Sequence, residues 1–274
     1  MAEGKRLISL ALFGQPIATS LSPDIHRRFA GQLGLDVEYR AIEAGVAGFP
    51  HVLEQFRRAG GVGCNVTLPL KALAWELAVE RSAAAEAARA ANTLVRRPGG
   101  WYAHNTDGIG FITDLVVNHG IDPAGKSVAV LGAGGAVAGI LGALLEAGPA
   151  CVVLVNRNLE RARALAARFG GGQGIDVCGW DSLDDAGRFD LVINATSLGH
   201  AGEVPPIEAS MFGQEGVCYD LNYGHAAVPL RDWCEAAKRR YVDGLGMLVE
   251  QAAESFAAWT GKHPDGGAVI ESLR

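Results

Sequence analysis

Short uninterrupted apolar runs alternate along this chain with longer stretches whose apolar residues recur at helical spacing. Residues 7–13 read as a strand that passes through the loop GQPIATSLSP into a helix over 23–33. The order then repeats, with a strand over 37–41, a helical stretch over 48–59 and a short strand over 63–67 that closes at Leu68-Pro69. Alanine, leucine and tryptophan after Pro69 predict a helix to residue 78, and an alanine-rich helix over 82–90 stops near Asn92. Segments 92–97 and 100–103 flank Pro98-Gly99, the signature of a hairpin. A helix over 106–119 leads to a strand over 128–131, a glycine turn, a helix over 137–146 and a strand over 152–155. Further strands fall at 176–178, 191–194 and 217–221. Near the C-terminus Leu248, Ala252, Phe256 and Trp259 share one side of a helix over 244–259, and that face must be buried. Apolar strands alternating with helices predict an α/β fold with a mostly parallel sheet covered on both faces.

The turn after the strand at 128–131 carries the first chemical signal. Gly132, Ala133, Gly134, Gly135 and Ala136 lie between a buried strand and a helix. Backbone N–H groups at such a helix start lack intrahelical partners, the helix dipole favours an anion, and glycines let a pyrophosphate approach. The eighteen uncharged residues 128–145 reach the lower limit of a membrane span, but five of them are glycine, clustered at the turn. Val137 stands where the third glycine of the dinucleotide fingerprint falls, so the motif is met by its strand–turn–helix context rather than letter by letter. At the end of the next strand, where an acid would hold the ribose 2′-hydroxyl of NAD, the chain reads Asn156-Arg157-Asn158. Arg157 and Arg161 stand four apart, and two guanidiniums suit a 2′-phosphate, which points to NADP rather than NAD.

Composition narrows the partners. A chain of 274 residues with 49% apolar residues has length for two domains and ample core. The net charge of −6, with Lys and Arg scattered, argues against a nucleic-acid partner, while a small anionic ligand needs only local positive charge. The N-terminal apolar run leads into Gly14 and Pro16 without a small-residue cleavage pattern and reads as the first strand, not a leader. Five cysteines, an odd number without paired spacing, suggest reduced thiols and a cytoplasmic protein. The seven histidines form no ligand spacing, so metal-free chemistry is expected.

Hydride transfer requires a group that gives or takes the accompanying proton. Lys71 follows Asn65-Val66-Thr67 by one short turn and has apolar neighbours Leu70, Ala72 and Leu73. Desolvation there would lower its pKa and suit it to proton transfer; an ordinary exposed helix lysine is the other reading. Asp107, in His104-Asn105-Thr106-Asp107-Gly108, either holds a lysine or substrate hydroxyl or caps the helix that follows. Ser20 and Ser22 either share a carboxylate with the next helix start, or Ser22 is simply the N-cap before Pro23. Asn92-Thr93, Tyr223 and Gln251 are isolated polar residues that a turn or the surface explains better when they are taken alone.

Eight segments, SLSP, NVTLPLK, ANTL, NTDGIGF, GAGGA, NATSLG, YDLNYG and DGLGMLVEQA, occur in order over nearly the whole chain. In this the chain resembles the shikimate dehydrogenase family. The resemblance implies an N-terminal α/β substrate domain plus a Rossmann-type NADP-binding domain with a cleft between them. The first would comprise residues 1–106, completed by 244–274, and the second 107–243. It implies NADPH-dependent reversible reduction of 3-dehydroshikimate to shikimate, in the pathway to the aromatic amino acids. Lys71 and Asp107 would be the catalytic pair, with Ser20, Ser22 and Tyr223 on the substrate carboxylate. Asn65, Thr67, Asn92, Asp107 and Gln251 would surround the ring hydroxyls. Cofactor contacts would come from residues 132–136, Asn156, Arg157, Asn158 and Arg161, with Thr196, Ser197, Gly244 and Met247 near the nicotinamide. A monomer or homodimer is expected.

Some positions depart from the family pattern. Asn158 replaces the usual Thr and Ala138 a frequent Arg, while Val228-Pro229-Leu230 replaces Thr-Pro-Leu. Arg89 occupies a position where a glycine is common, which leaves the local backbone open. Quinate or an aminoshikimate is an alternative substrate, and a sensor that binds NADP(H) without catalysis is the rival from another class. Lys71, Asp107 and both serines argue against the sensor, which needs no proton relay.

Overall fold

The computed structural model describes residues 7–170 and 174–274; the basic start at 1–6 lies outside the described residues. The chain opens with β1 (Ile8–Gly14), α1 (Ser22–Leu33), β2 (Val37–Glu43), α2 (Phe49–Arg58) and β3 (Gly63–Val66). There follow α3 (Lys71–Leu77), β4 (Glu80–Arg81), α4 (Ala83–Ala88), the hairpin β5 (Thr93–Arg97) and β6 (Gly100–His104), and α5 (Asp107–Thr113). Then come β7 (Ser127–Leu131), α6 (Gly135–Glu146), β8 (Cys151–Val155), α7 (Leu159–Ala166), β9 (Ile175–Cys178), β10 (Phe189–Asn194) and β11 (Phe212–Asp220). The chain closes with α8 (Val228–Ala236), β12 (Arg240–Val242), α9 (Leu245–Thr260) and α10 (Gly266–Leu273).

Two compact units result, Met1–Gly110 with Val249–Arg274, and Phe111–Leu248. The first holds a mixed sheet in the order β2-β1-β3-β5-β6-β4, parallel where β1 meets β2 and β3 and antiparallel through β5. Its core gathers Phe13, Phe49, Phe56, Leu70, Leu94 and Trp101, with Phe13 edge-on to Phe49 and Phe56. Phe256 of α9 is fully buried in this unit, edge-on to Phe29, and Trp259 donates from Nε1 to the Leu94 carbonyl. The apolar stripe read near the C-terminus is therefore spent on the first unit.

The second unit is parallel throughout its six strands, in the order β12-β11-β10-β7-β8-β9. Read from β9, this is the doubly wound dinucleotide-binding order, whose direction reverses between β7 and β10. Ligands of such sheets sit beyond the carboxyl ends of the strands at that reversal. Here the loops at that place are the glycine turn after β7 and Ala195-Thr196-Ser197 after β10.

Three local differences from the sequence pattern have physical causes. The helix expected over 106–119 turns π-helical at Asp114–Asn118, where the buried Asp114 carboxylate accepts bonds from Asn118 Nδ2 at 2.9 Å and Tyr219 OH at 2.6 Å. A helix expected from residue 137 begins at Gly135, because Gly132 at φ +116 turns the chain within two residues. Strands β4 and β12, of two and three residues, are too short to show periodicity. Arg89 sits in the left-handed region at φ 47, as the C-cap of α4, which accounts for glycine being easy there.

Candidate active site

Lys71 is the first residue of α3, and Asp107 the first of α5. Lys71 Nζ donates to Asp107 Oδ2 at 2.6 Å, with the two side chains 20% and 7% exposed. The lysine is thus not an ordinary surface residue, and the aspartate is not a helix cap, since its carboxylate is spent on side chains. The helix start is served from upstream instead, Asn105 Oδ1 accepting from the Asp107 N–H at 3.1 Å. Asp107 Oδ1 accepts from Asn92 Nδ2 at 2.7 Å.

Asn92 is oriented without ambiguity. Its Oδ1 accepts from the backbone N–H of Thr106 at 2.9 Å, so its Nδ2 must face Asp107 and Gln251 Oε1, the latter at 3.0 Å. Asn65, at the inner end of the sheet on β3, donates to the Asn92 carbonyl and to Ser255 Oγ at 3.2 and 3.0 Å. Thr93 Oγ1 donates to Asn92 Oδ1 at 2.9 Å and lies 2.7 Å from Ser255 Oγ. Buried polar groups are costly unless bonded, so a cluster this deep, with the amides of Asn65 and Asn92 bonded at both ends, rigidifies the carboxylate at its end. Thr67 packs its methyl over Gly14, just beyond β3.

Ser22 is the first residue of α1 rather than its cap, and Leu21 occupies the cap position without a side-chain bond. The reason is local: Ser20 Oγ takes the Ser22 N–H at 3.2 Å and donates to Ser22 Oγ at the same distance. The two hydroxyls therefore stand side by side at a helix start. In this unit the structure brings Lys71, Asp107, Asn92, Gln251 and Asn65 into one bonded cluster. Thr106, from the polar segment around Asp107, is woven into it, as are His26, Tyr39 and Ser255, which the sequence pattern does not single out. Their signal was faint: single polar residues on otherwise apolar helix faces or strand interiors.

The second unit holds the glycine turn, Thr196, Ser197, Tyr223, Gly244 and Met247. A Cβ at Gly132 would lie 3.1 Å from the Ala195 carbonyl, so the turn runs hard against the loop after β10. No side chain caps α6, whose first N–H groups lack intrahelical partners. Asn158 caps α7, accepting the Arg161 N–H at 2.9 Å, and Asn156 donates to the Asn158 carbonyl at 2.7 Å. Arg161 Nε donates to the Ala133 carbonyl at 2.9 Å, pinning the turn, while Arg157 is exposed. An uncapped helix start, a turn that needs glycine at the positive φ of Gly132, and arginine in place of an acid fit a phosphorylated dinucleotide.

Behind the loop after β10, Asn194 Oδ1 accepts the Thr196 N–H at 3.1 Å and Asn194 Nδ2 donates to Asp220 Oδ1 at 2.9 Å. Burial pushes the Asp220 carboxyl above its ordinary range, against bonds from Asn222, Asn194 and Tyr241. Burial likewise raises the Tyr223 phenol. All five cysteines are free thiols. Among the described residues no group of three His, Cys, Asp or Glu could hold a metal, and no helix is long and apolar enough to cross a membrane.

Three family descriptions match this chain: a shikimate dehydrogenase substrate-binding domain over residues 12–94, a shikimate/quinate 5-dehydrogenase over 116–203, and a shikimate 5′-dehydrogenase C-terminal domain over 244–274. The NADP(+) shikimate dehydrogenase of Xylella fastidiosa strain M12 is 46% identical, over 96% of this chain and 94% of the relative. Among solved structures, an Ael1 enzyme from Pseudomonas putida superposes with a TM-score of 0.91 at 40% identity, over 97% of this chain and 98% of that one. Shikimate 5-dehydrogenase from Thermus thermophilus, in complex with NADP(H) and shikimate, does so at 0.84 and 33%, with the same coverage.

Proposed function

We propose, from the premise that this chain belongs to the shikimate dehydrogenase family, that it catalyses the reversible NADPH-dependent reduction of 3-dehydroshikimate to shikimate. The observation that carries this reading is the 2.6 Å Lys71–Asp107 pair, held by Asn92 at the end of a buried polar cluster. Such a pair has the chemistry of a carbonyl reduction. The Lys71 ammonium donates a hydrogen bond to the C3 carbonyl, polarises it, and passes a proton to the oxygen as the alkoxide forms. Asp107, fixed by Asn92 Nδ2, aims the ammonium and offers an acceptor for a neighbouring hydroxyl.

In this reading Ser20 and Ser22 bind the substrate carboxylate, together with Tyr223. Thr67, Asn92 and Gln251 read the ring hydroxyls around the lysine, with Asn65 beside them. The dinucleotide lies on the glycine turn, and supplies the hydride when bound. Residues 132–136 would hold its pyrophosphate, Arg157 and Arg161 with Asn156 and Asn158 its 2′-phosphate, and Thr196, Ser197, Gly244 and Met247 its nicotinamide end. A quinate-accepting enzyme is the second reading, supported by the shikimate/quinate description that matches residues 116–203. One altered ring substituent is read by one or two side chains, so relative rates with shikimate and quinate decide between them.

Replacing Lys71 tests the assignment. Lys71→Ala should lower kcat by about two to four orders of magnitude, the usual worth of a positioned acid–base group. The dissociation constant for NADPH, set by the other unit, should stay within about threefold, well under the tenfold that 1.4 kcal/mol represents. A folded Lys71→Ala enzyme with wild-type turnover would sink the role given to the lysine.

A further inference from the structure

We infer that His26 and Tyr39 are positioning residues for the substrate pocket: together they donate to Asn65 Oδ1 and so hold the amide that orders Asn92, Asp107 and Lys71. The inference rests on the functional reading above only in what it takes the pocket to bind. Tyr39 OH lies 2.8 Å from Asn65 Oδ1 and His26 Nε2 lies 3.0 Å from the same atom.

The proton positions follow from groups that have no choice. The carbonyl of Asn92 only accepts, and it faces the Asn65 amide at 3.2 Å, so that atom of Asn65 is the nitrogen. The other amide atom is then the oxygen, which must receive a proton from each neighbour. Tyr39 therefore donates, and His26 carries its proton on Nε2 with Nδ1 bare. Consistent with that, Nδ1 is buried and has no hydrogen-bond partner. The ring is sandwiched within hydrophobic surroundings, stacked on Tyr39 at 4.3 Å and 15°, and packed against Phe29, Phe256 and Trp259. Burial holds its pKa down at about 3, so it stays neutral across the working range.

Asn65 thereby has both lone pairs and both N–H groups engaged by protein: His26 and Tyr39 on one side, Asn92, Thr93 and Ser255 on the other. These bonds make Asn65 a fixed point among its neighbours. Its part is to fix the backbone carbonyl of Asn92 and the Thr93 hydroxyl, and through them the amide that grips Asp107. Turning Asn65 over would put its N–H groups against the two donors and its oxygen against the Asn92 carbonyl. The Asn92 carbonyl, which can only accept, makes that flip costly, and His26 and Tyr39 fill the lone pairs of the oxygen in the orientation it selects.

Two measurements test this separately from the assignment of the reaction. Long-range proton–nitrogen NMR of histidine-labelled wild-type protein should show His26 as a neutral ring protonated on Nε2, unchanged from pH 5 to pH 8. A ring protonated on Nδ1, or one that titrates in that range, would overturn the inference whether or not the protein turns over shikimate. In the second, His26→Phe keeps a ring but removes the donor, and His26→Gln presents an N–H near the position of Nε2. His26→Phe should lower kcat/KM for shikimate about tenfold, as expected for a buried acceptor stripped of one donor, with the KM for NADP unchanged. His26→Gln should recover most of that loss. A folded Phe variant with wild-type kcat/KM, or a folded Gln variant as impaired as Phe, contradicts the positioning role. Should the Phe variant not fold, the NMR result decides; wild-type protein inactive with shikimate would instead count against the proposed reaction alone.

Discussion

At the scale of single residues, the site is a chain of orientation rather than a collection of contacts. Lys71 is aimed by Asp107, Asp107 by Asn92, and Asn92 by a backbone N–H that leaves it one orientation. The buried His26 adds a consequence for stability. Its folded pKa is depressed from 6.5 to about 3 by burial, so below 6.5 the unfolded chain takes up a proton that the native protein refuses. Stability contributed by keeping the ring neutral is whole above 6.5 and is lost as pH falls towards 3, at about 1.4 kcal/mol per pH unit. Urea unfolding at pH 7.5 and pH 5 should therefore show a loss of about 2 kcal/mol in wild type that is absent in His26→Gln. Equal losses in the two proteins would refute the burial of a neutral ring. From spacing alone Lys71, Asp107 and Asn92 each keep an ordinary structural alternative, and it is the family resemblance of the polar segments around them that joins them into one site. His26 is not singled out, although it shares the buried face of α1 with Ser22, Ile25, Phe29 and Ala30. A single polar residue on an apolar stripe does not disclose its partner, which lies thirty-nine positions away on a strand.

Elements place these residues, and in the proposed reading one pair of elements sets cofactor choice. The turn between β7 and α6 and the start of α7 are tied by a single bond, Arg161 Nε to the Ala133 carbonyl. In the proposed reading both arginines serve the 2′-phosphate, but Arg157, exposed, has its whole guanidinium for it, whereas Arg161 also holds the turn. The two arginines, alike in sequence, should separate in function. Arg157→Ala should raise the KM for NADP about tenfold and leave NAD unaffected, because a hydrogen bond to a charged group is worth about 1.5–3 kcal/mol. Arg161→Ala should impair both cofactors through the loosened turn. Steady-state kinetics with each cofactor distinguish these outcomes, and equal behaviour of the two variants would contradict the division of labour. The strand–turn–helix pattern is readable because a parallel strand buried on both faces keeps an uninterrupted apolar run. The start of α6 was misjudged by two residues because Gly132 reverses the chain more tightly than the letters suggest.

At the scale of the whole molecule, the chain folds as two units of different sheet chemistry, one mixed and one fully parallel, and the C-terminal residues return to the first. That return explains how Gln251 and Ser255, far along the chain, join a cluster that includes Asn65 and Asn92. Long-range closure of this kind is invisible to local patterns; the apolar stripe at residues 248–259 announced that something had to be covered, but not what. The proposed reaction needs both units, one supplying the proton relay and the other the dinucleotide. The most direct measurement is the initial rate of reduced-nicotinamide absorbance with purified protein, shikimate and either NADP or NAD, and with quinate in place of shikimate. Steady turnover of shikimate with NADP, at a kcat/KM about tenfold or more above that with NAD or with quinate, is the predicted result. Absence of turnover with shikimate and either cofactor, in protein shown to bind NADPH, would contradict the account at its centre.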